Sequence, residues 1–247
     1  MKSKIKKVDT IAIIPARGDS KSIPHKNIAL FGGKPLIYYT IKAALDAKLL
    51  DAVIVSTDDP AIARVARKCG ADVPFLRPKK YSGDAALDIT FLQHAVNWLE
   101  KNRDWKPDIV LNLRPTGPLR TAEDIDEVIS LMKKTKCDSV RTVSKWQLHT
   151  PFKMWYFNEG DQRIKPLLPT KQYKIVGTDV PRQQLPVVYW QNGLIDATRA
   201  KFIKKGRIYG ADIRGLVIEA TRVQDIDDLD DLVRVEKIMK QLKNPKK

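Results

Sequence analysis

Three cations stand on one short segment of this chain: Arg17, Lys21 and Lys26 within Ala16-Arg17-Gly18-Asp19-Ser20-Lys21-Ser22-Ile23-Pro24-His25-Lys26-Asn27. The segment follows a continuous apolar run over 10–15, so the cations fall at the carboxyl end of a candidate buried strand, where open α/β sheets bind ligands. Three positive side chains and the backbone N–H groups of a turn can neutralise a triphosphate. The alternative is a solvated basic loop. The chain has no Gly-x-x-x-x-Gly-Lys-Ser/Thr loop and no Gly-x-Gly-x-x-Gly fingerprint, so ATPase and dehydrogenase readings lose their usual support.

A second cluster lies near the other end, in Gln224-Asp225-Ile226-Asp227-Asp228-Leu229-Asp230-Asp231. Acids at a helix start serve as caps and dipole partners, the role assigned to Asp228, Asp230 and Asp231. Asp225 and Asp227 are two residues apart. On an extended segment both carboxylates face one side and can converge on a hard cation such as Mg²⁺. Spacing alone leaves metal binding and capping equally open. His25, His94 and His149 are too scattered for a metal triad, and His94 reads as structural. Cys69 and Cys137 are too few for a disulfide framework or a zinc site and read as reduced core residues.

Alternating strands and helices would position these groups. Apolar runs over 10–15 and 109–113 are of the kind buried on both faces of a sheet, with shorter strands expected over 52–56 and 73–76. Helical spacing marks a segment opening at Pro35, then 60–69 ended by Gly70, a long helix carrying Leu87, Phe91, Ala95, Trp98 and Leu99, and 122–134. Up to Ser144 this is a βαβ series and predicts a mostly parallel sheet covered by helices. The pattern then breaks. Trp146, Trp155, Tyr156, Phe157, Tyr173, Tyr189 and Trp190 crowd a stretch without clean helical period, which predicts a β-rich insertion with a strand over 152–157 and a turn at Asn158-Glu159-Gly160-Asp161. An insertion of this size often buries its aromatic surface against another subunit. A strand over 215–219 and a closing amphipathic helix over 229–242 complete the chain. The expected division is a core of residues 1–144 and 191–247 and an insertion over 145–190.

The chain has 247 residues, 43% of them hydrophobic, which excludes wholesale disorder, and no apolar run long enough for a membrane span. The start offers no long apolar stretch or cleavage site, so a cytoplasmic protein is expected. A net charge of +16 invites a nucleic-acid reading, but Lys2, Lys4, Lys6, Lys7, Lys237, Lys240, Lys243, Lys246 and Lys247 supply nine of those charges from the two ends. No RNA-type aromatic signature or zinc-finger spacing accompanies them, so no nucleic-acid partner is expected, and the remaining basic body suits a polyphosphate ligand.

A resemblance emerges from the motifs taken in order. Ile11-Ala12-Ile13-Ile14-Pro15-Ala16-Arg17, Ser20-Lys21, Pro24, Lys26-Asn27, Ser56-Thr57-Asp58, Arg77-Pro78, Arg114-Pro115-Thr116-Gly117-Pro118-Leu119-Arg120, Pro181-Arg182-Gln183-Gln184-Leu185-Pro186, Asn192-Gly193 and Asp225-Ile226-Asp227 together resemble the acylneuraminate cytidylyltransferases, the CMP-sialic acid synthetases. The match runs over residues 11–232 and is nearer to the nonulosonic acid branch than to its Kdo-activating relatives. The resemblance implies a Rossmann-like three-layer α/β nucleotide-sugar transferase fold with a mostly parallel mixed sheet and a protruding β-rich dimerisation flap. It implies transfer of CMP from CTP to the anomeric hydroxyl of a nonulosonic acid with release of pyrophosphate, and a homodimer. The alternatives are a nucleotidyltransferase for Kdo or another sugar acid, and a non-catalytic nucleotide-sugar-binding protein of the same fold.

Carried over by position, the resemblance implies that Ala16, Arg17, Ser20, Lys21, Asn27 and Arg77 bind CTP, with Arg17 and Lys21 on the triphosphate. It implies Mg²⁺ on Asp225 and Asp227, with Asp227 also a candidate to deprotonate the sugar hydroxyl. Lys153, Arg182 and Gln183 would come from the flap towards the sugar acid. Departures bear on the substrate. The family usually has Gly-Gly-Ser-Lys-Gly where this chain has Gly18-Asp19-Ser20-Lys21-Ser22, and Gln-Pro-Thr-Ser where it has Arg114-Pro115-Thr116-Gly117. Asp19 beside a polyphosphate would be repulsive unless it points away or binds the metal. Arg114 puts a charge where the family has an amide, which makes it a further candidate for the sugar acid.

Overall fold

The computed structural model describes residues 8–20, 22–83, 86–145, 150–168 and 181–243, and for Arg182 and Lys243 the backbone only. Lys21, Trp146, His149, Tyr173 and the terminal lysines Lys2, Lys4, Lys6, Lys7, Lys246 and Lys247 lie outside the described residues.

A six-stranded sheet forms the centre. Strands β1 (Thr10–Pro15), β4 (Ala52–Ser56) and β5 (Ile109–Asn112) are parallel, β1 pairing with both neighbours. Strand β9 (Tyr189–Arg199) runs antiparallel between β5 and β6 (Ser139–Lys145), and β10 (Ile213–Val217) lies parallel on β6, giving the order β10-β6-β9-β5-β1-β4. The alternation of a strand buried on both faces explains the three layers. Ala12 and Ile14 of β1, with Val53 and Val55 of β4, meet α1 (Leu36–Asp46), α2 (Pro60–Lys68) and α4 (Ala122–Thr135) through Ile37, Ile41, Ile62 and Ile125. Ile11, Ile13 and Ile54 face the other way, onto α3 (Asp88–Arg103) and α5 (Ala200–Lys204) through Phe91, Leu92, Ala95 and Ile203.

A third cluster of Ile23, Phe31, Leu36, Leu119, Ile226, Val235 and Met239 fastens the closing helix α6 (Leu229–Lys243) beside the carboxyl end of β1. Burying Ile226 leaves its neighbours Asp225 and Asp227 turned out of that core, at the exposed side of the segment. The helices start and stop as their ends dictate. Asp59 accepts the N–H groups of Ala61 and Ile62 at 2.6 and 3.2 Å at the start of α2, and Thr121 with Asp124 forms a capping box on α4.

Several expected elements differ. The strand expected over 73–76 is reduced to two isolated bridges, Asp72 to Ile54 and Leu76 to Thr57, because Pro74 and Pro78 interrupt a ladder. The strand expected over 152–157 divides into a 3₁₀ turn at Pro151–Lys153 and β7 (Trp155–Phe157), the turn started by Thr150 and Pro151. Strand β7 pairs with β8 (Ile164–Pro166) as a separate hairpin whose residues are all exposed. The strand expected over 215–219 is β10, two residues earlier. The polar loop after β1 also contains an unexpected hairpin, β2 (Leu30–Phe31) with β3 (Lys34–Pro35), whose Gly32-Gly33 corner has positive φ at both residues. Asp225 and Asp227 lie on irregular backbone before α6, not on a strand.

The Asn192-Gly193 motif acquires a structural reason. The register of β9 against β6 shifts between Arg141 and Val143, and Gly193, with φ +67°, occupies the resulting bulge. Asn192 seals it. Its Oδ1 accepts from Thr142 Oγ1 at 2.6 Å and from the Leu194 N–H at 3.1 Å, while its Nδ2 donates to Ser144 Oγ at 2.9 Å.

Candidate active site

The carboxyl ends of β1 and β5 open into a cavity of about 720 Å³ that Arg17, Ser20, Asn27, Arg77, Arg114, Asp225 and Asp227 all line. These residues span positions 17 to 227, and the fold brings them to one place. Ala16 is buried beneath it, its N–H donating to the Ser56 carbonyl at 3.0 Å, which fixes the end of β1 against β4. The loop above is tied down at two points. Asn27 Nδ2 donates to the Arg17 carbonyl at 3.0 Å, and the Gly18 N–H donates to Asp58 Oδ1 at 3.1 Å. A Cβ at Gly18 would lie 2.9 Å from Asp59 Oδ2, so this approach to the start of α2 requires a glycine. Asp19 is exposed and outside the cavity lining, which removes the expected conflict with a polyphosphate.

Arg77 closes the side next to α3. Its N–H donates to the Thr57 carbonyl at 2.7 Å, its Nη2 lies 3.7 Å from Asp58 Oδ1, and its guanidinium lies over the Phe91 ring at 5.5 Å. Desolvation pulls its pKa down, with Asp58 opposing. Arg77 Nε is buried without a hydrogen-bond partner among the described residues. A buried donor left unpaired costs free energy.

The acidic wall faces this cation. Asp225 Oδ1 accepts from Thr116 Oγ1 at 3.1 Å. Desolvation by the enclosing walls raises its pKa, Asp227 adds to the rise, and the Thr116 bond, Arg114 and Arg120 oppose it. A cation shared by the two carboxylates would relieve both raising causes. Among the described residues no group of three or more His, Cys, Asp or Glu could hold a metal, so the remaining ligands would have to come from substrate oxygens and water.

Lys26 lines the same cavity as Arg17, as the sequence led us to expect, but its ammonium is already engaged. Its ammonium donates to the carbonyls of Ile226 and Asp227 at 3.0 and 3.1 Å and lies 3.4 Å from Asp227 Oδ1. It is consumed as a tether for the aspartate segment, as is Ser22, whose hydroxyl donates to the Asp227 carbonyl.

Arg114 lines the cavity with its charge matched. Nη1 donates to Asp196 Oδ2 at 3.0 Å and to the Gly193 carbonyl at 3.2 Å, and Nη2 donates to Asp88. Arg120 lies beneath, fully enclosed. It donates to the Leu194 carbonyl at 2.8 and 2.6 Å, to Thr40 Oγ1 at 2.9 Å and to the Arg114 carbonyl at 2.9 Å, and burial pushes its pKa down to about 10. It pins the loop between β5 and α4 to β9 and α1.

The insertion residues fall elsewhere. Lys153 is exposed in the 3₁₀ turn, and Gln183 lines a separate cavity with Lys145, Thr150 and Leu185. The Arg182 backbone begins a 3₁₀ turn over Arg182–Gln184. Neither Lys153 nor Gln183 lines the main cavity. Sequence reasoning missed Asp58 and Thr116 as positioning groups, although both stand inside motifs it had singled out. It missed Asp88 altogether, since one aspartate at a helix start carries no distinguishing signal.

A family model described as Cytidylyltransferase matches residues 11–154. The CMP-N,N'-diacetyllegionaminic acid synthase of Legionella pneumophila is 35% identical over 93% of this chain and 95% of its own. The pseudaminic acid cytidylyltransferase of Campylobacter jejuni is 35% identical over 70% of this chain and 72% of its own. Among solved structures, a CMP:2-keto-3-deoxy-manno-octonic acid synthetase complexed with CTP superposes with a TM-score of 0.70 at 18% identity, over 95% of this chain and 99% of that one, a likeness of fold.

Proposed function

The chain belongs to the cytidylyltransferase family, a CTP-dependent nucleotidyltransferase, and on that premise we propose that it transfers CMP from CTP to the anomeric hydroxyl of a nonulosonic acid, releasing pyrophosphate. The observation that carries the site assignment is the pairing, across one cavity, of Arg17 and the buried Arg77 with the carboxylates of Asp225 and Asp227. Such a transfer requires charge neutralisation and in-line positioning more than covalent chemistry.

The roles we assign combine the cavity lining with the motifs of the resemblance. Arg17 and Lys21 bear on the triphosphate, Ser20 and the N–H groups after Ala16 cradle it, and Asn27 holds the loop in shape. We place Arg77, which lines the cavity, on the cytosine side. Asp225 and Asp227 would hold Mg²⁺, which when bound there would offset the charge of the phosphate oxygens. Asp227, whose side chain is 79% exposed, accepts the proton of the sugar hydroxyl as it attacks the α-phosphorus and pyrophosphate leaves.

The sugar acid brings a carboxylate beside the triphosphate, so further cations must offset it. Arg114 is already matched by two aspartates, which leaves that task to Lys153 and Arg182, with Gln183 as a polar partner. Because Lys153 and Gln183 do not line the cavity of their own chain, we assign them, and Arg182 with them, to the site of a second subunit, in a homodimer built on residues 145–190. The exposed Trp155, Tyr156 and Phe157 of β7 would be covered in it. A cytoplasmic location fits these substrates, and no helix among the described residues is long and apolar enough to cross a membrane.

Pyrophosphate release from CTP with a panel of nonulosonic acids and Kdo tests the reading. Turnover with at least one nonulosonic acid, well above that with Kdo, is expected. Turnover with Kdo alone would reassign the acceptor.

A further inference from the structure

Asp88 has no role in the reaction as described, yet it stands midway along the wall of the main cavity. It is the first residue of α3, one helical turn before Phe91, and the Arg77 guanidinium lies over the Phe91 ring at 5.5 Å. On its other side Asp88 Oδ2 accepts from Arg114 Nη2 and from Asn112 Nδ2, the latter at 3.1 Å. Arg114 opens the segment Arg114-Pro115-Thr116, and Thr116 Oγ1 donates to Asp225 Oδ1 at 3.1 Å. The wall thus runs in the order Arg77, Phe91, Asp88, Arg114, Thr116 and Asp225, all of them lining the cavity.

The protein uses one oxygen of Asp88 and leaves the other. Oδ1 has no hydrogen-bond partner among the described residues and is not among their buried unpaired atoms, so it is accessible, on a side chain 33% exposed. Arg114 and Asn112 hold the carboxylate by Oδ2 and so fix where Oδ1 stands. An ionised carboxylate only accepts hydrogen bonds. In a cavity that gathers phosphates it repels the ligand unless it meets a neutral part that carries donors. Asp88 also does not extend the Asp225 and Asp227 pair into a metal site of three carboxylates, since no such group occurs among the described residues.

CTP follows the same order as the wall. Its base is assigned to Arg77 and its triphosphate to the space between Arg17 and the aspartates, and the ribose joins the two. The ionised triphosphate has no donors, whereas the ribose has two hydroxyls. We infer that the open oxygen of Asp88 accepts a hydrogen bond from a ribose hydroxyl of CTP, which makes Asp88 a specificity-determining residue for ribonucleotide over deoxyribonucleotide. This rests on the placement of CTP in the main cavity and is independent of the acceptor's identity. The cytosine amino group is the other donor on the ligand, at the Arg77 end of the wall. A bond to it would make Asp88 distinguish CTP from UTP instead.

The test is calorimetric titration of the full chain with CTP, UTP, 2′-deoxy-CTP and 3′-deoxy-CTP in Mg²⁺, with no acceptor present. Wild type should bind CTP at least about tenfold more tightly than one of the two deoxy analogues, the size expected of one charge-assisted hydrogen bond. Asp88→Ala should weaken CTP by about that factor and leave that analogue within about twofold of its wild-type Kd, because the analogue never made the bond. UTP has the same ribose and should weaken together with CTP. A merely structural role would weaken all four alike. Should Asp88→Ala lose its cooperative thermal transition, Asp88→Asn decides. Its amide oxygen can keep Arg114 and Asn112, which turns an NH₂ group to the ribose in place of the acceptor, and the preference should fall at least about threefold. An unchanged preference in the folded variant, an equal loss for all four nucleotides, or a loss for CTP that spares UTP overturns the inference. A wild type that binds none of the four overturns the placement of CTP, and the inference with it.

Discussion

Arg77 shows how a residue's partners, more than its type, decide its role. It stands beside Pro78 in a motif, and the sequence could mark it as a ligand candidate. Only the fold shows that its Nε–H is buried without a partner among the described residues while Asp58 and Phe91 fix the rest of the guanidinium. Lysine cannot reproduce that planar fork. Arg77→Lys should therefore weaken CTP binding by about tenfold, roughly 1.4 kcal/mol, with KM for the acceptor little changed, as calorimetric titration with CTP and acceptor kinetics would show. Lys26 teaches the converse. It shares a loop with Arg17, yet two carbonyls on a segment two hundred residues away take its ammonium. No local pattern encodes such a partner. Asp225 and Asp227 were legible as a pair, but the spacing could not separate capping from metal binding. Asp231 resolves part of that choice by accepting the Asp227 and Asp228 N–H groups at 3.0 and 3.4 Å, which leaves the Asp225 and Asp227 carboxylates available to the cavity.

At the scale of elements, strands buried on both faces and helices with strong caps were legible, because their signals are local. Strand β1 falls at the expected residues, and α4 ends one residue beyond its expected limit. What was not legible depends on pairing. The segment over 73–76 has strand-like residues but too little uninterrupted backbone for a ladder, and the β9 bulge exists only against β6. The loop between β5 and α4 is held by Arg120, whose four donor contacts have no substitute. Arg120→Met would take the guanidinium donors from the Leu194 carbonyl and the Thr40 hydroxyl, and should destabilise the fold by about 2–4 kcal/mol, read as a lower denaturation midpoint at an unchanged m-value. Asp138 plays a comparable part at the start of β10. Its Oδ2 accepts the N–H groups of Asp212 and Ala211 at 3.1 and 3.0 Å, and these bonds hold its carboxyl below the ordinary value. A depressed folded-state pKa contributes stability that is present above the unfolded value, about 3.9, and is lost as pH falls through the folded one. Wild type should thus lose more stability than Asp138→Asn on acidification below about pH 4, a difference measurable by urea titration at each pH.

For the whole molecule, the three-layer sheet was legible and the completeness of the site was not. Residues from β1, the β5–α4 loop and the segment before α6 meet in one cavity, while Lys153 and Gln183 stand away from it. The homodimer with composite sites that we propose would account for that separation. Arg182→Ala and Asp227→Asn proteins, each nearly inactive, should regain up to about a quarter of wild-type activity per site when mixed and allowed to exchange, because random pairing restores one intact site in half of the dimers. A monomer by light scattering, or no recovery after verified exchange, would contradict this. The central claim, that the cavity between Arg17 and Asp225 is where CMP is transferred, is tested most directly by single-turnover transfer of label from α-³²P-CTP to a nonulosonic acid in Mg²⁺. Wild type should form the labelled CMP-sugar. Asp225→Asn, with its fold verified, should do so at least about a hundredfold more slowly, a loss of roughly 2.7 kcal/mol of transition-state stabilisation. Transfer at the wild-type rate by Asp225→Asn would contradict the account.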